Sequence, residues 1–431
     1  MKPFYACNSP EHHLSRRQFL AGMATGALGI MGGGFSSFIH SAVAGELKSS
    51  EKRVLLIWLH GGVSQLETWD PKPGTSTGGP FQAIPTTVPG VHISELLPHC
   101  AKQMHRLALI RSINTAENDH AKGAYLMHTG RKQMPNMEWP HLGAVMAKLL
   151  GSPDNPLPGY IHITPRGQGG FNKQDAAFLG PRYCSVSLAD GKPPENLLRP
   201  EPLTESADRQ RNDLRQRLNN RFLQGRRTAE TEAYTQSYDQ AAQIMERRAV
   251  FDISKEPPKL AERYGSHDFG RHCLLARRLL ENGVTFVKVT HSNYDTHYEN
   301  FEFHIEQLGE FDQTFATLLD DLDQRGLLQS TLVIVMSEFG RTPKINRNYG
   351  RDHWGTAWSI ALAGCGIQGG AVVGKTNADG TAVTDRMVGA GHLFHTYFRA
   401  LGLNPKKNHY VNQQPIPMAD PAASAIEEIL A

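Results

Sequence analysis

The sequence predicts an α/β fold, with a mostly parallel sheet, helices on both faces and a helical insertion near residues 202–256. Three observations predict it. Short apolar runs with no polar alternation, such as Arg53–Leu59 (RVLLIWL) and Thr331–Met336 (TLVIVM), have the pattern of strands buried on both faces. These runs alternate with segments whose apolar residues recur at helical spacing. Glycines stand where strands or helices should stop, as at Gly61-Gly62, Gly130, Gly283 and Gly326.

In chain order, RVLLIWL reads as a central strand that ends in His60-Gly61-Gly62. The stretch 64–74 (SQLETWDPKPG) carries Glu67, Asp70 and two prolines and reads as a loop. Leu107–Ser112 is a second strand. Asp119–Gly130 (DHAKGAYLMHTG) has helical spacing and a glycine stop, and Trp139–Leu150 continues as a helix with Leu142, Val145, Met146 and Leu149 on one face. Tyr160–Thr164 (YIHIT) is a strand. Residues 165–200 are rich in Gly and Pro and read as irregular. Residues 202–256 are charged, helical and poor in β-branched residues, and the run 208–227 reads mainly as a solvated face. Regular order resumes with a helix at His267–Asn282, a strand at Thr285–Thr290 and a long amphipathic helix at Phe301–Arg325. The strand Thr331–Met336, strands near Trp358–Ala363 and Ala371–Gly374, and a helix at Gly391–Leu401 complete the chain. No internal repeat is visible.

Composition narrows the function classes. The chain has 431 residues and a formal net charge of +3, with no basic stripe of the kind that binds nucleic acid. Cys100, Cys184, Cys273 and Cys365 are widely spaced and form no C-x-x-C pair. A structural zinc cluster is therefore not expected, and one or two disulfides are compatible with the spacing. At the N-terminus, Ser15-Arg16-Arg17-Gln18-Phe19-Leu20 is a twin-arginine signature. A Gly/Ala-rich apolar stretch and Ala42-Val43-Ala44 follow it. This order predicts a signal peptide over residues 1–44, recognised by the twin-arginine export machinery. The expectation is a periplasmic or secreted protein comprising residues 45–431, with no membrane span after cleavage.

The chemistry concentrates between Thr290 and Gly355. His291, Asp295, His297, Glu338, Arg341, Asp352 and His353 are types that bind divalent metals and anionic oxygens. They surround one buried strand that ends in a polar loop, where open α/β sheets place their sites. Asp295 and His297 alternate on an extended segment and so point to one side. Glu338 follows five apolar residues and needs a partner, either Arg341 or a metal. Arg341 and Arg351 are of the type that forks onto an anionic oxygen, and Asp352 is an alternative partner. These residues point to a metal-dependent hydrolase.

The segments LIWLHGGVSQLETWDPKP, SNYDTHYENF and SEFGRTPKINRNYGRDHW resemble the DUF1501 family over nearly the whole of residues 45–431. That family is similar to the alkaline phosphatase/sulfatase superfamily. The resemblance implies an alkaline-phosphatase-like fold and a site for zinc, manganese or calcium. It also implies phosphate or sulfate esters of small molecules or carbohydrates as substrates. The superfamily nucleophile lies nine residues before the Thr of a Thr-Gly pair, and counting back from Thr129 gives His120. That position is Ser, Thr or formylglycine-forming Cys in the superfamily, so those covalent mechanisms do not operate there in this chain. His120 is then read first as a metal ligand or a base for water, with a covalent nucleophile and a simple helix-cap histidine as the alternatives, while Lys122 stabilises a developing anion and Arg341 clamps it. Asp295, His297 and His353 match superfamily metal ligands. Ser337-Glu338-Phe339-Gly340 looks like its Ser-Asp-His-Gly, with Phe339 in place of the His. The implied second metal site is rebuilt from Glu338, His60, His120 or His291, or is empty. Two other readings stay open: a non-catalytic binding protein on the same scaffold, and a mutase or transferase acting on phosphorylated carbohydrate.

Overall fold

The computed structural model describes residues 51–135, 137–152, 155–165, 170–192, 202–223, 229–411 and 414–431. The expected signal segment lies outside them. Among the described residues, no helix is long and apolar enough to cross a membrane.

Nine strands form one sheet. They are β1 (Arg53–Leu59), β2 (Leu107–Ile113), β3 (Tyr160–Thr164), β4 (Gly170–Asn172), β5 (Ser185–Ala189), β6 (Phe286–His291), β7 (Thr331–Met336), β8 (Trp358–Gly364) and β9 (Val372–Val373). Their spatial order is β9-β2-β8-β7-β1-β6-β3-β5-β4. β8 and β4 run antiparallel to their neighbours and all other pairings are parallel. The strand β5 (SVSLA) falls in a stretch read from sequence as irregular, because its serines break the apolar run although three of its five residues are buried.

Alternation along β1 divides the core. Leu55, Ile57 and Leu59 face one layer with Phe269, Leu279, Phe311 and Phe315. Val54, Leu56 and Trp58 face the other with Leu126, Val145, Phe394 and Tyr397. The helices on these faces are α1 (His120–Thr129), α2 (Leu142–Leu150), α5 (Asp268–Glu281), α6 (Asn300–Gln324) and α7 (Ala390–Ala400). Between α2 and α5 lie α3 (Glu205–Leu223) and α4 (Ala229–Glu246). α2 starts at Leu142 rather than Trp139, since Pro140 precedes its N-cap His141. The four cysteines among the described residues are buried and form no disulfide with one another, although their spacing is compatible with one or two. Trp69 and Trp358 are buried in the core.

Strand order positions the site. β7, β1 and β6 are adjacent and parallel, so Glu338, His60 and His291 leave the same edge of the sheet. The turn after β1 presses against the segment after β6: a Cβ on Gly61 (φ +116°) would sit 2.4 Å from the Asp295 nitrogen, so that position requires glycine.

Candidate metal centre

Four side chains from three parts of the chain converge. His120 is the first residue of α1, a helix capped by the Asp119 side chain, which accepts from the Lys122 N–H. Asp295 and His297 follow β6. His353 lies on a two-residue ribbon paired with Gly340–Arg341. His120 Nε2 lies 3.3 Å from Asp295 Oδ2. His353 Nε2 and His297 Nε2 each lie 3.2 Å from Asp295 Oδ1, and 3.0 Å from each other. Ligand atoms of His120, Asp295 and His353 all fall within 4.8 Å of one another. Donors bound about 2.0–2.1 Å from a tetrahedral cation are about 3.3–3.4 Å apart, close to the spacing of this cluster.

The far nitrogen of each ring has an acceptor. His120 Nδ1 contacts Glu338 Oε1 at 2.8 Å, His297 Nδ1 contacts Asp352 Oδ1 at 2.7 Å, and His353 Nδ1 contacts the Asn118 carbonyl at 2.7 Å. Carbonyls and ionised carboxylates only accept, so each Nδ1 carries a proton, and each ring in its neutral form turns an Nε2 lone pair inward. His120 Nε2 is shielded from solvent and makes no hydrogen bond. An orphaned donor atom aimed at a carboxylate and two more lone pairs fits a divalent cation, and the anchored far nitrogens complete the usual arrangement of metal-binding histidines.

The surrounding charges favour an ionised Asp295 and compete with metal for the His120 ring. Burial pushes the Asp295 carboxyl up, but the hydrogen bond and charge of Arg341 (2.6 Å) outweigh it and hold the group at about 2. The Glu338 hydrogen bond raises the His120 imidazole above its ordinary value. Burial opposes ionisation of Glu338 as well, yet His120, His60 and the Gly61 N–H bring it below the usual carboxylate range. The Asp352 carboxyl is lowered mainly by its hydrogen bond to His297.

Several sequence expectations change here. Glu338 is fully buried: Oε1 accepts from Gly61 N at 2.9 Å and meets His120, and Oε2 accepts from Ser337 Oγ at 3.1 Å. It orients His120 and does not join the four converging donors. His60 lies 3.6 Å from Glu338 Oε1, and its Nδ1 accepts from Trp58 Nε1, so it flanks the cluster. Arg341 is buried, donating to the carbonyls of Gly61, Gly62 and Arg351 as well as to Asp295. With those donors occupied it positions Asp295 and does not clamp a substrate oxygen. Arg351 is equally buried, held by both oxygens of Glu67 and by the carbonyls of Thr77, Thr342 and Pro343. Lys122 is exposed on α1 beside a depression lined by Glu117, Lys132 and Gln133, and only its backbone N–H is tied down. His291 points into the α5–α6 layer, where it meets Tyr294 and Glu310 and stacks on Phe269. Phe339 packs against the rings of His120 and His353, so the ring fills space where the likeness would put a further ligand.

Sequence reading missed the role of Asn118, whose carbonyl sets the His353 tautomer. Backbone acceptors leave no residue-type signal. It also missed Lys288, buried in the middle of β6, where its ammonium donates to His128 Nε2 at 2.8 Å and lies over the Trp58 ring. Burial lowers its pKa to about 8.

Residues 51–430 match a family described as "Protein of unknown function (DUF1501)". No curated protein sequence matches the chain. Among solved structures, the chain is similar to the lipoteichoic acid synthase LtaP from Listeria monocytogenes, at 8% identity and TM-score 0.39 over 86% of this chain and 75% of that one. It is similar to the PsFucS1 sulfatase from Pseudoalteromonas sp. at 12% identity and TM-score 0.37, over 90% and 73%. It is also similar to an alkaline phosphatase from the Antarctic bacterium TAB5 at 13% identity and TM-score 0.34, over 82% and 99%. Likeness at this level says nothing about chemistry, which has to come from the site.

Proposed function

We propose that this chain, which belongs to the DUF1501 family, is a metal-dependent hydrolase of phosphate or sulfate esters. One observation carries the reading: three inward Nε2 atoms meet a single ionised carboxylate at 3.2–3.3 Å, while every Nδ1 is held by an acceptor. Lone pairs and an anion this close repel one another unless a proton or a metal cation lies among them, and His120 Nε2 has no hydrogen bond to supply one. His120, Asp295 and His353 would hold it, with His297 beside Asp295 and His353 on one flank, and a donor set rich in imidazole favours zinc over calcium.

A bound divalent cation supplies Lewis acidity and an acidic water at neutral pH. The chain's own residues do the rest. Arg341 keeps Asp295 ionised, while Glu338, Asp352 and the Asn118 carbonyl hold the protons on the outer nitrogens of the three rings. The ester class rests on the likeness of the motifs at 290–298, 337–341 and 351–353 to the alkaline phosphatase/sulfatase superfamily.

A non-catalytic reading has its own observation. If His297 moved in to join His120, Asp295 and His353, four protein donors would close a tetrahedral site, as in structural zinc centres, whereas catalytic centres keep a position open. The side chains of Asp295 and His297 are 49% and 42% exposed, which favours an accessible face and the hydrolase. The deciding experiment is elemental analysis of wild type and of Asp295→Ala/His353→Ala, followed by hydrolysis of p-nitrophenyl phosphate and sulfate. About one equivalent of metal and metal-dependent turnover, both lost in the variant, support the hydrolase. Metal without turnover leaves the binding protein, and no metal after reconstitution rejects both.

A further inference from the structure

The arginines nearest the centre are in no position to meet a substrate. Arg341 and Arg351 are buried, with their N–H groups given to carboxylates and backbone carbonyls, and Lys122 stands beside a separate depression on α1. Each ring of the cluster also gives its Nδ1–H to an acceptor behind it. An anionic oxygen leaving water for such a centre needs a donor to replace the hydrogen bonds it loses. His60 has the polarity for this. Its Nδ1 accepts from Trp58 Nε1 at 3.4 Å, and an indole N–H only donates, so the neutral ring carries its proton on Nε2. Glu338 Oε1 lies 3.6 Å from the same Nδ1, outside hydrogen-bond range. The His60 side chain is 55% exposed, and among the described residues nothing accepts from its Nε2.

This donor is held in place from both sides. The His60 backbone N–H donates to the His291 carbonyl at 2.8 Å, and its own carbonyl accepts from the Tyr294 N–H at 3.2 Å. The Trp58 ring that anchors the imidazole is 2% exposed. It packs against His128, with ring centroids 4.3 Å apart, and the Lys288 ammonium lies over it at 5.0 Å. Among the described residues that ammonium makes no ion pair, so its positive charge adds to the pull on an anion beside His60. The His60 imidazole stands 6.3 Å from that of His120, centroid to centroid. A tetrahedral oxyanion with its hydrogen bonds can bridge such a gap, which puts His60 within reach of a group bound at the cluster.

We propose that His60 is a substrate-binding residue, its Nε2–H donating to a non-bridging oxygen of a phosphate or sulfate group held at the cluster of His120, Asp295 and His353. The proposal rests on the metal-centre reading above, and its test separates the two. Zinc content is measured for wild type, His60→Ala and His60→Gln, and inorganic phosphate is then titrated calorimetrically into each zinc-loaded protein. All three should hold the same zinc, because His60 lies outside the ligand cluster. Phosphate should bind wild type, and should bind His60→Ala about tenfold more weakly, as expected for one hydrogen bond to a charged group. Glutamine keeps an N–H donor, so His60→Gln should stay within about threefold of wild type. Equal phosphate affinity in wild type and His60→Ala would overturn the proposal. An equal loss in both variants would also overturn it, since the ring and not its N–H would then matter. Zinc lost in His60→Ala would overturn it in favour of a metal ligand. A wild type that holds zinc but binds no phosphate would overturn it and leave the metal centre standing, whereas a wild type that takes up no zinc would reject the metal-centre reading and this proposal with it.

Discussion

His120 and Glu338 are 218 residues apart in the chain and 2.8 Å apart in space. This contact makes a helix-start histidine a candidate metal ligand, because Glu338 accepts the Nδ1–H hydrogen bond and leaves Nε2 free. Glu338→Gln keeps an acceptor but removes the charge, so metal affinity should fall about 10–100-fold with the fold intact. Competition against a chromophoric chelator measures it. Unchanged affinity would mean that His120 does not bind metal.

Metal should stabilise the chain by linkage. A cation present at about 100 times its Kd adds about 2.7 kcal/mol to unfolding, which for a chain of this size is a rise of a few degrees in Tm. Thermal scans with added zinc should show that rise in wild type and not in His120→Ala, Asp295→Ala or His353→Ala. An equal rise in all four proteins would place the stabilising ion elsewhere.

Arg351 and Glu67 form a fully buried ion pair. Replacing Arg351 with Met strands the carboxylate and should cost about 3–5 kcal/mol. Adding Glu67→Gln removes the stranded charge and should recover part of that loss, though the Thr77, Thr342 and Pro343 carbonyls stay unpaired. Urea denaturation of both singles and the double gives the coupling. Additive costs would show that the pair contributes no mutual stabilisation.

Lys288 gives the chain a pH dependence of defined sign. Its folded pKa is about 8 against an ordinary 10.5, so between those values the unfolded state binds more protons and stability rises with pH. At pH 7 the penalty is fully present and amounts to roughly 3 kcal/mol at most. Lys288→Met should therefore be more stable than wild type at pH 7, and should flatten the stability profile between pH 8 and 10.5. A wild-type stability that falls across that window would contradict the sign.

Gly350 lies where a Cβ would be 2.0 Å from the His297 carbonyl oxygen. Gly350→Ala must displace the segment carrying His297, so both stability and metal affinity should drop. A parallel loss in urea unfolding and metal titration checks this, and a loss of stability alone would separate His297 from the centre.

Local pattern made much of this protein legible without coordinates. Apolar runs located most strands of the sheet, and helical spacing located α1, α5, α6 and α7 to within a residue or two. Both signals are written within one element by the periodicity of its own backbone. The strand β5 escaped because two serines interrupt a five-residue run. The D-x-H after β6 and His353 were visible as metal-binding residue types for the same local reason.

The division of labour among those residues was not visible. Glu338 and Arg341 have the composition of a ligand and an anion clamp, and His120 reads as either ligand or base. The structure sets Glu338 and Arg341 behind the donors and His120 among them. That outcome depends on β7, β1 and β6 lying side by side in parallel, on the turn at Gly61 closing against Asp295, and on which lone pairs backbone carbonyls occupy. Residue type and local periodicity determined the fold class and the available donors. Only packing between segments hundreds of residues apart decided which atoms face one another, because a ligand set is defined by ångström-scale separations that no local period encodes.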